Sequence, residues 1–352
     1  MSEIEQEIRR RIEADGPMPM SRYMALCADH YYATRDPFGA RGDFITAPEV
    51  SQMFGELIGL WAAAVWRLMG APAEIALVEL GPGRGTLIAD ALRAAKAVPE
   101  FRAALRLHLV EASGALATRQ ETLLADAGVP IAWHTRVEEL PEGPSIVIAN
   151  EFVDALPIDQ WVRTEAGWHE RRIGLRDGHL VSGLHPVPLP GLPPAEAGAV
   201  LERRDVAPLR AVAARLAAHG GAALVVDYGY AQTGFGDTLQ ALQNHRPVDF
   251  LETPGEADLT AHVDFAALAA AVAAAGVRVH GPVRQGEFLR RLGIEARAAR
   301  LRQGKDDKTK AAVDAALARL TARAPGMGDL FKALAFSAPD LATLPGFDEP
   351  RP

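Results

Sequence analysis

The residues with the clearest chemical potential lie in VELGPGRGTLIADAL at 78–92, where an apolar strand ending in Glu79-Leu80 opens into Gly81, Gly83 and Gly85 and then into a helix. Glycines at such a turn admit left-handed backbone and let the main chain approach a ligand, while the helix start turns its free N–H groups toward it. The spacing is G-x-G-x-G, with Thr86 where a dinucleotide fingerprint has its last glycine, and no GK[ST] follows. Hydride transfer and ATP hydrolysis both lose support. A bare glycine triplet also serves as a plain tight turn, so its neighbours decide. The next apolar run, LRLHLVE, ends in Glu111, 26 residues after Gly85, and an acid at the carboxyl end of a second strand accepts hydrogen bonds from both hydroxyls of a ribose. A nucleoside is implied. A further strand ends in Asn150-Glu151 and opens ANEFVDALP, which gathers an amide and two carboxylates, Glu151 and Asp154, where such sheets hold ligands. Asp154 alone could equally cap a helix.

These residues need a scaffold that lines up strand ends. From residue 75 short apolar runs alternate with helical segments: Ile75–Leu80, Leu105–Glu111, Ile131–His134, Ser145–Asn150, Ala222–Asp227 and Val277–His280, with a last strand at Phe331–Phe336. Continuous runs such as IALVEL, SIVIAN and AALVVD suit strands buried on both faces, so the expected class is α/β, a doubly wound, mostly parallel sheet. Residues 1–70 read as a helical region, on the spacing of Ile4, Ile8 and Ile12 and the long apolar run from Val50 to Met69. It contains a lid-like loop at 31–49. The core is expected at 71–160 and 205–340, interrupted at 161–204 by a β-ribbon and the proline-rich linker HPVPLPGLPP, with a long active-site loop at 229–262 and a tail at 341–352.

Other candidates sit on these loops. In GDFITAPE, Asp43, Thr46 and Glu49 could face the pocket, or the segment could simply cross between two helices. Asp227 and Tyr228 end a strand and are suited to shaping the site, and His245 and His262 could act as bases or as structural hydrogen bonders. Trp61 and Trp66, at helical spacing, read as core.

Composition narrows the class. The chain has 352 residues, 49% hydrophobic and 23% charged, which are globular values. Its 37 Lys+Arg against 45 Asp+Glu give a net charge of −8, so a nucleic-acid surface would work against the overall field. A single cysteine, Cys27, excludes an internal disulfide and any cysteine-built metal site within one chain. No HExxH or GxSxG occurs, and no metal is expected. Met1–Gly16 mixes Glu and Arg without an apolar core, and no apolar stretch reaches the length of a membrane span, so the expectation is a soluble cytoplasmic protein.

The segments ELGPGRGTL, HLVEAS, ANEFVDALP, DYGY, GDTLQALQNHR and GEADLTAHVDF, with GDFITAPEVSQMFGELIGLW before them, together resemble the MidA-type class I S-adenosylmethionine-dependent methyltransferases, over about residues 17–336. That family includes the mitochondrial complex I assembly factor that methylates a protein arginine. The resemblance implies a seven-stranded Rossmann-like methyltransferase sheet, S-adenosyl-L-methionine as methyl donor, and a protein partner carrying an arginine. It places Gly81, Gly83 and Gly85 along the methionine part of the donor, Glu79 at its ammonium, Glu111 at its ribose, and Asn150 and Glu151 beside the sulfonium, where Glu151 would hold a guanidinium. An alternative within the same resemblance is a non-catalytic assembly factor that binds the donor and holds a partner.

Overall fold

The computed structural model describes residues 2–34, 46–186, 191–324 and 326–347. Contacts divide the chain into two units, Ile45–Val153 with Val206–Gln232 and Val263–Pro352, and Met1–Phe44 with Asp154–Asp205 and Thr233–His262.

The larger unit is built on strands β1 (Ile75–Leu80), β2 (Leu105–Val110), β3 (Ile131–His134), β4 (Ser145–Asn150), β5 (Gly221–Tyr230), β6 (Arg278–Arg284) and β7 (Phe331–Ser337). They lie in the order β6-β7-β5-β4-β1-β2-β3, and a short strand, Val263–Asp264, adds to β5. β1 to β5 run parallel, while β7 runs antiparallel to both β5 and β6. This is the expected doubly wound, seven-stranded sheet. Leu77, Leu109, Ile146, Ile148, Leu224 and Val226 are buried in one core, as strands covered on both faces require. The chain order reverses between β1 and β4, and ligands of such sheets sit outside the carboxyl ends of the strands at that switch point.

Helix α1 (Gln52–Leu68) is capped by Ser51 Oγ, which accepts the Met53 N–H, and it buries Trp61 and Trp66. It packs tightly on α2 (Thr86–Ala95), the helix that leaves the glycine loop. A Cβ at Gly55 would come within 2.7 Å of Asp90 Cβ, and one at Gly59 within 2.6 Å of Ala91 Cα, so the two glycines set the helix separation. α3 (Gly114–Leu124) follows β2 and buries Leu116, Gln120 and Leu124, one stripe of the helix. Of the residues expected as a tail, those at 341–347 instead join the core, and 348–352 lie outside the described residues. Leu341 and Leu344 are buried, and Trp61 Nε1 donates to the Pro345 carbonyl at 3.0 Å.

In the smaller unit the helices Glu3–Asp15 and Met20–Thr34 bury Ile4, Ile8, Ile12, Tyr23 and Met24. The helical region expected at 1–70 is therefore shared between the two units. The expected ribbon is a five-stranded antiparallel sheet of Met18–Pro19, Gly167–Arg176, Ile158–Thr164 and Val200–Arg204 in that order, with His179–Pro186 paired to Gly167–Arg176. Residues 187–190 of the proline-rich stretch lie outside the described residues. The segment 229–262, expected as one long loop, holds a second sheet of Arg246–Pro247, Gln240–Gln243 and Asp258–Thr260. Strands of two to four residues carry too little alternation to be seen as a period. Among the described residues no helix is long and apolar enough to cross a membrane.

Candidate active site

The glycine loop after β1 takes up three left-handed residues, Gly81 at φ 61°, Gly83 at 54° and Gly85 at 81°, a region that residues with a Cβ enter only at a cost. A Cβ on Gly81 would also lie 2.9 Å from Phe152 Cδ2, so the loop passes close to the segment that leaves β4. Gly85 is the N-cap of α2.

Glu79, one residue from the end of β1, is 3% exposed, and its Oε2 has no hydrogen-bond partner. Burial, reinforced by the neighbouring Glu111 charge, pushes its carboxyl well above the ordinary carboxylate range. Glu111 directly follows β2, which pairs with β1 through Leu80 and Val110. Both of its carboxylate oxygens are engaged: Oε1 accepts the Ser113 N–H at 2.9 Å, and Oε2 accepts from Gln120 Nε2 at 3.1 Å. Burial still raises this carboxyl, against hydrogen bonds from Ser113, Gln120, Ala112 and Gly83 that lower it.

On the other side of β1, β4 runs in register with Leu80 opposite Ala149, which brings Asn150 level with the glycine loop. Asn150 is buried, and its Oδ1 has no partner. Its Nδ2 donates to Glu151 Oε1 at 3.3 Å. Glu151 stands in left-handed backbone at φ 48°, unusual for a residue with a side chain. The same Oε1 accepts the Ala47 N–H at 2.9 Å, and nearby the Glu49 carboxylate accepts the Thr86 hydroxyl at 2.6 Å. The helical turn Ala47–Val50 is thus fastened both to the glycine loop's helix and to the end of β4. Thr46, the N-cap of that turn, is buried and makes no side-chain capping bond.

Asp227, near the end of β5, is wholly buried, with Oδ2 accepting the Val153 N–H at 2.9 Å and Oδ1 the Tyr228 N–H at 2.9 Å. It clamps the chain leaving β4. The Tyr228 ring tilts against Phe331, centroids 5.5 Å apart. Glu79, the three glycines, Glu111, Asn150, Glu151, Asp227, Tyr228, Thr46 and Glu49 therefore belong to one edge of the larger unit.

The remaining candidates fall elsewhere. Asp43 lies outside the described residues. Asp154, His245 and His262 belong to the smaller unit. Asp154 is not a helix N-cap there: its Oδ1 accepts the Ala155 N–H at 2.9 Å, and its carbonyl accepts from Arg204 and Ala261. His245 is exposed, at φ 61° beside Asn244 at 52°, the two residues of a tight hairpin turn. His262 donates its N–H to Thr238 Oγ1 at 2.9 Å, and its carbonyl accepts from Arg204. Among the described residues no three His, Cys, Asp or Glu side chains are grouped to hold a metal ion.

One residue of this edge escaped the sequence reading. Gln120 is 0% exposed and bonds both to the glycine loop and to Glu111. The signal existed, since a glutamine midway between Leu116 and Leu124 stands on an apolar helical stripe.

Comparison with known proteins identifies the family of the chain. Residues 57–283 match the profile of a family described as S-adenosyl-L-methionine-dependent methyltransferase. The chain is 39% identical over 347 residues to the mitochondrial protein arginine methyltransferase NDUFAF7 homolog of Drosophila melanogaster, covering 84% of this chain and 76% of that one. To the mouse protein arginine methyltransferase NDUFAF7, also mitochondrial, it is 37% identical over 322 residues, covering 82% and 73%. A Burkholderia thailandensis protein crystallised with S-adenosyl-homocysteine has the same fold at a TM-score of 0.84 and 29% identity, over 98% of this chain and 92% of that one. The cytoplasmic placement expected from the sequence is overturned by the curated relatives, whose names are mitochondrial. The expected seven-stranded sheet and donor class are both met. The chain belongs to the family of S-adenosyl-L-methionine-dependent methyltransferases.

Proposed function

We propose that the chain methylates an arginine side chain of a protein partner, with S-adenosyl-L-methionine as donor. One observation carries the reading: two buried acceptors, Glu79 Oε2 and Asn150 Oδ1, stand without partners on the adjacent strands β1 and β4, on either side of the glycine loop. A buried polar atom left unpaired costs on the order of 1–3 kcal/mol, so two at one strand edge support a site completed by donors from a ligand.

The residues present fit the donor. Glu79 Oε2 would accept from its ammonium, Glu111 would face its ribose hydroxyls, and left-handed glycines leave room beside its methionine part. When bound, the donor supplies a methyl group already activated on a sulfonium, so the protein's task is alignment more than covalent catalysis. Asn150 Oδ1 would accept an N–H of the incoming nitrogen, fixing its direction. Glu151 would hold the cationic guanidinium through its carboxylate, and charge-assisted bonds of this kind are both directional and strong. The Glu49–Thr86 bond would keep the 47–50 turn against the glycine loop while the acceptor enters.

The names of the relatives support arginine as acceptor and mitochondria as the setting, and the family resemblance points to a respiratory complex I subunit as the partner. A second reading, an assembly factor that binds the donor and holds a partner without transfer, draws on Glu151 being engaged by the Ala47 N–H. Incubation with donor labelled in its methyl group, followed by mass spectrometry of labelled peptides from partner fractions, tests both. Methylarginine is the expected product. Label on another residue type would refute the arginine assignment, and donor binding without any label would favour the second reading.

A further inference from the structure

We infer that Gln120 and Trp133 form a positioning relay that locks the ribose acid to the glycine loop. The inference rests on the reading of Glu111 as the donor's ribose partner. Gln120 reaches from α3 into full burial, and each of its amide groups is used. Its Nε2 donates to the Gly83 carbonyl at 2.7 Å and to Glu111 Oε2 at 3.1 Å, while its Oε1 accepts the Trp133 indole N–H at 3.0 Å.

The orientation of that amide follows from chemistry. An indole nitrogen can only donate, so the side of the glutamine facing Trp133 must be its oxygen. The two hydrogens of Nε2 are then directed at the two acceptors on the other side, a carbonyl of the glycine loop and a carboxylate after β2. Trp133, on β3, acts through its indole N–H on the amide oxygen, and it decides which way the amide points. A rotated amide would set its oxygen against the Glu111 carboxylate and the Gly83 carbonyl, two acceptors that could offer it nothing.

With the Ser113 N–H on Oε1, this relay fixes both oxygens of Glu111. A carboxylate held on both sides presents its remaining lone pairs in one direction. Two vicinal hydroxyls must be met together, so a carboxylate free to rotate would accept one and miss the other. The relay also ties the distance between Gly83 and Glu111, the backbone and side-chain halves of the nucleoside site, to a single side chain.

The test is calorimetric titration of the full chain with S-adenosyl-homocysteine and with its 2′-deoxyribose analogue, in wild type, Gln120→Leu, Trp133→Phe and Glu111→Ala. Gln120→Leu should weaken S-adenosyl-homocysteine by about tenfold to a hundredfold, the range for losing a bond to a charged group. The preference for the ribose over the deoxyribose ligand should fall with it. Trp133→Phe keeps the ring and removes only the N–H, so it carries the test if Gln120→Leu does not fold, and it should show a smaller loss with the same fall in preference. Weakened binding at unchanged preference would mean that the pair only packs the core, and it overturns the inference, as does wild-type behaviour of both variants. Glu111→Ala separates the layers. If it binds S-adenosyl-homocysteine as wild type does, the ribose reading itself is wrong; if it alone loses the preference, only the relay is.

Discussion

Replacing Glu79 by glutamine should make the ligand-free chain more stable and the ligand-bound chain less so. Glu79 is 3% exposed, one of its oxygens has no partner, and burial followed by the Glu111 charge pushes its carboxyl well above the usual 4.5. The folded chain therefore keeps a proton that the unfolded chain gives up near 4.5. Stability from this group is intact below that value and is lost as pH rises toward the folded value, at about 1.4 kcal/mol per pH unit. Glu79→Gln has the shape and neutrality of the protonated acid and is spared that loss. Its melting temperature should match wild type near pH 4.5 and exceed it by a few degrees at about pH 8. With S-adenosyl-homocysteine the order should reverse, because in the proposed site the ionised carboxylate would accept from the ligand's ammonium. Losing a bond of that kind costs about 1.5–3 kcal/mol, or about tenfold to a hundred-and-fifty-fold in affinity. Binding to wild type should release more protons than binding to the variant, read from calorimetry in two buffers of different ionisation heat. Melting profiles that stay parallel across this pH range, with equal affinity for S-adenosyl-homocysteine, would refute the reasoning.

Gly83→Val should keep a cooperative melting transition and lose S-adenosyl-homocysteine binding, since it sets a branched side chain on left-handed backbone in the loop that approaches the ligand; retained binding in a titration would reduce the loop to a turn. Glu151→Gln can still accept the Ala47 N–H but loses its charge, so donor affinity should change by less than about twofold while methyl transfer to the native acceptor falls about a hundredfold, the usual cost of misalignment; wild-type turnover would remove Glu151 from the acceptor site. His108, whose pKa is pushed down to about 4 by burial and then by the charges of His134 and Arg215, favours the fold when neutral. Its contribution is complete above 6.5 and is lost as pH falls from 6.5 to about 4, so His108→Gln should flatten the acid decline of melting temperature across that window. An acid decline identical to wild type would show that another group governs it.

The sheet was legible because its strands are buried on both faces. IALVEL, SIVIAN and AALVVD are continuous apolar runs that admit few other structures, and the glycines and Asn150 sit at ends those runs define. The small strands at Gln240–Gln243, Arg246–Pro247 and Asp258–Thr260 were not legible, because two to four residues carry no period. The Asn244-His245 hairpin could have been read as a turn, but a histidine attracts a catalytic reading that its backbone duty does not need. Asp227 reads in the sequence as shaping the site, and in the structure it holds the Val153 N–H, a contact 74 residues away in sequence that no local pattern encodes. Glu151 was legible as an acid at a strand end; that its oxygen meets Ala47, 104 residues earlier, was not.

The division of labour at this edge follows from which polar atoms the fold satisfies. Among the described residues four buried side-chain atoms lack a partner, and two of them, Glu79 Oε2 and Asn150 Oδ1, lie on adjacent strands beside the glycine loop. Glu111, one strand further, has both oxygens engaged, and Gln120 behind it has every amide group in use. The contrast has a chemical sense. A ribose is neutral and is recognised by direction, so its acid gains from being fixed before the ligand arrives. An ammonium or a guanidinium carries charge, and an acceptor left open in a low-dielectric edge gains more from meeting it than one already shared with the protein. Raising Glu79 toward neutrality in the free chain tempers the cost of leaving it open, because the carboxylate need not stay ionised until a cation is there to share its charge. Asn150, which cannot ionise, would on the proposed reading serve beside the site of transfer without adding a charge that competes with Glu151 for the acceptor.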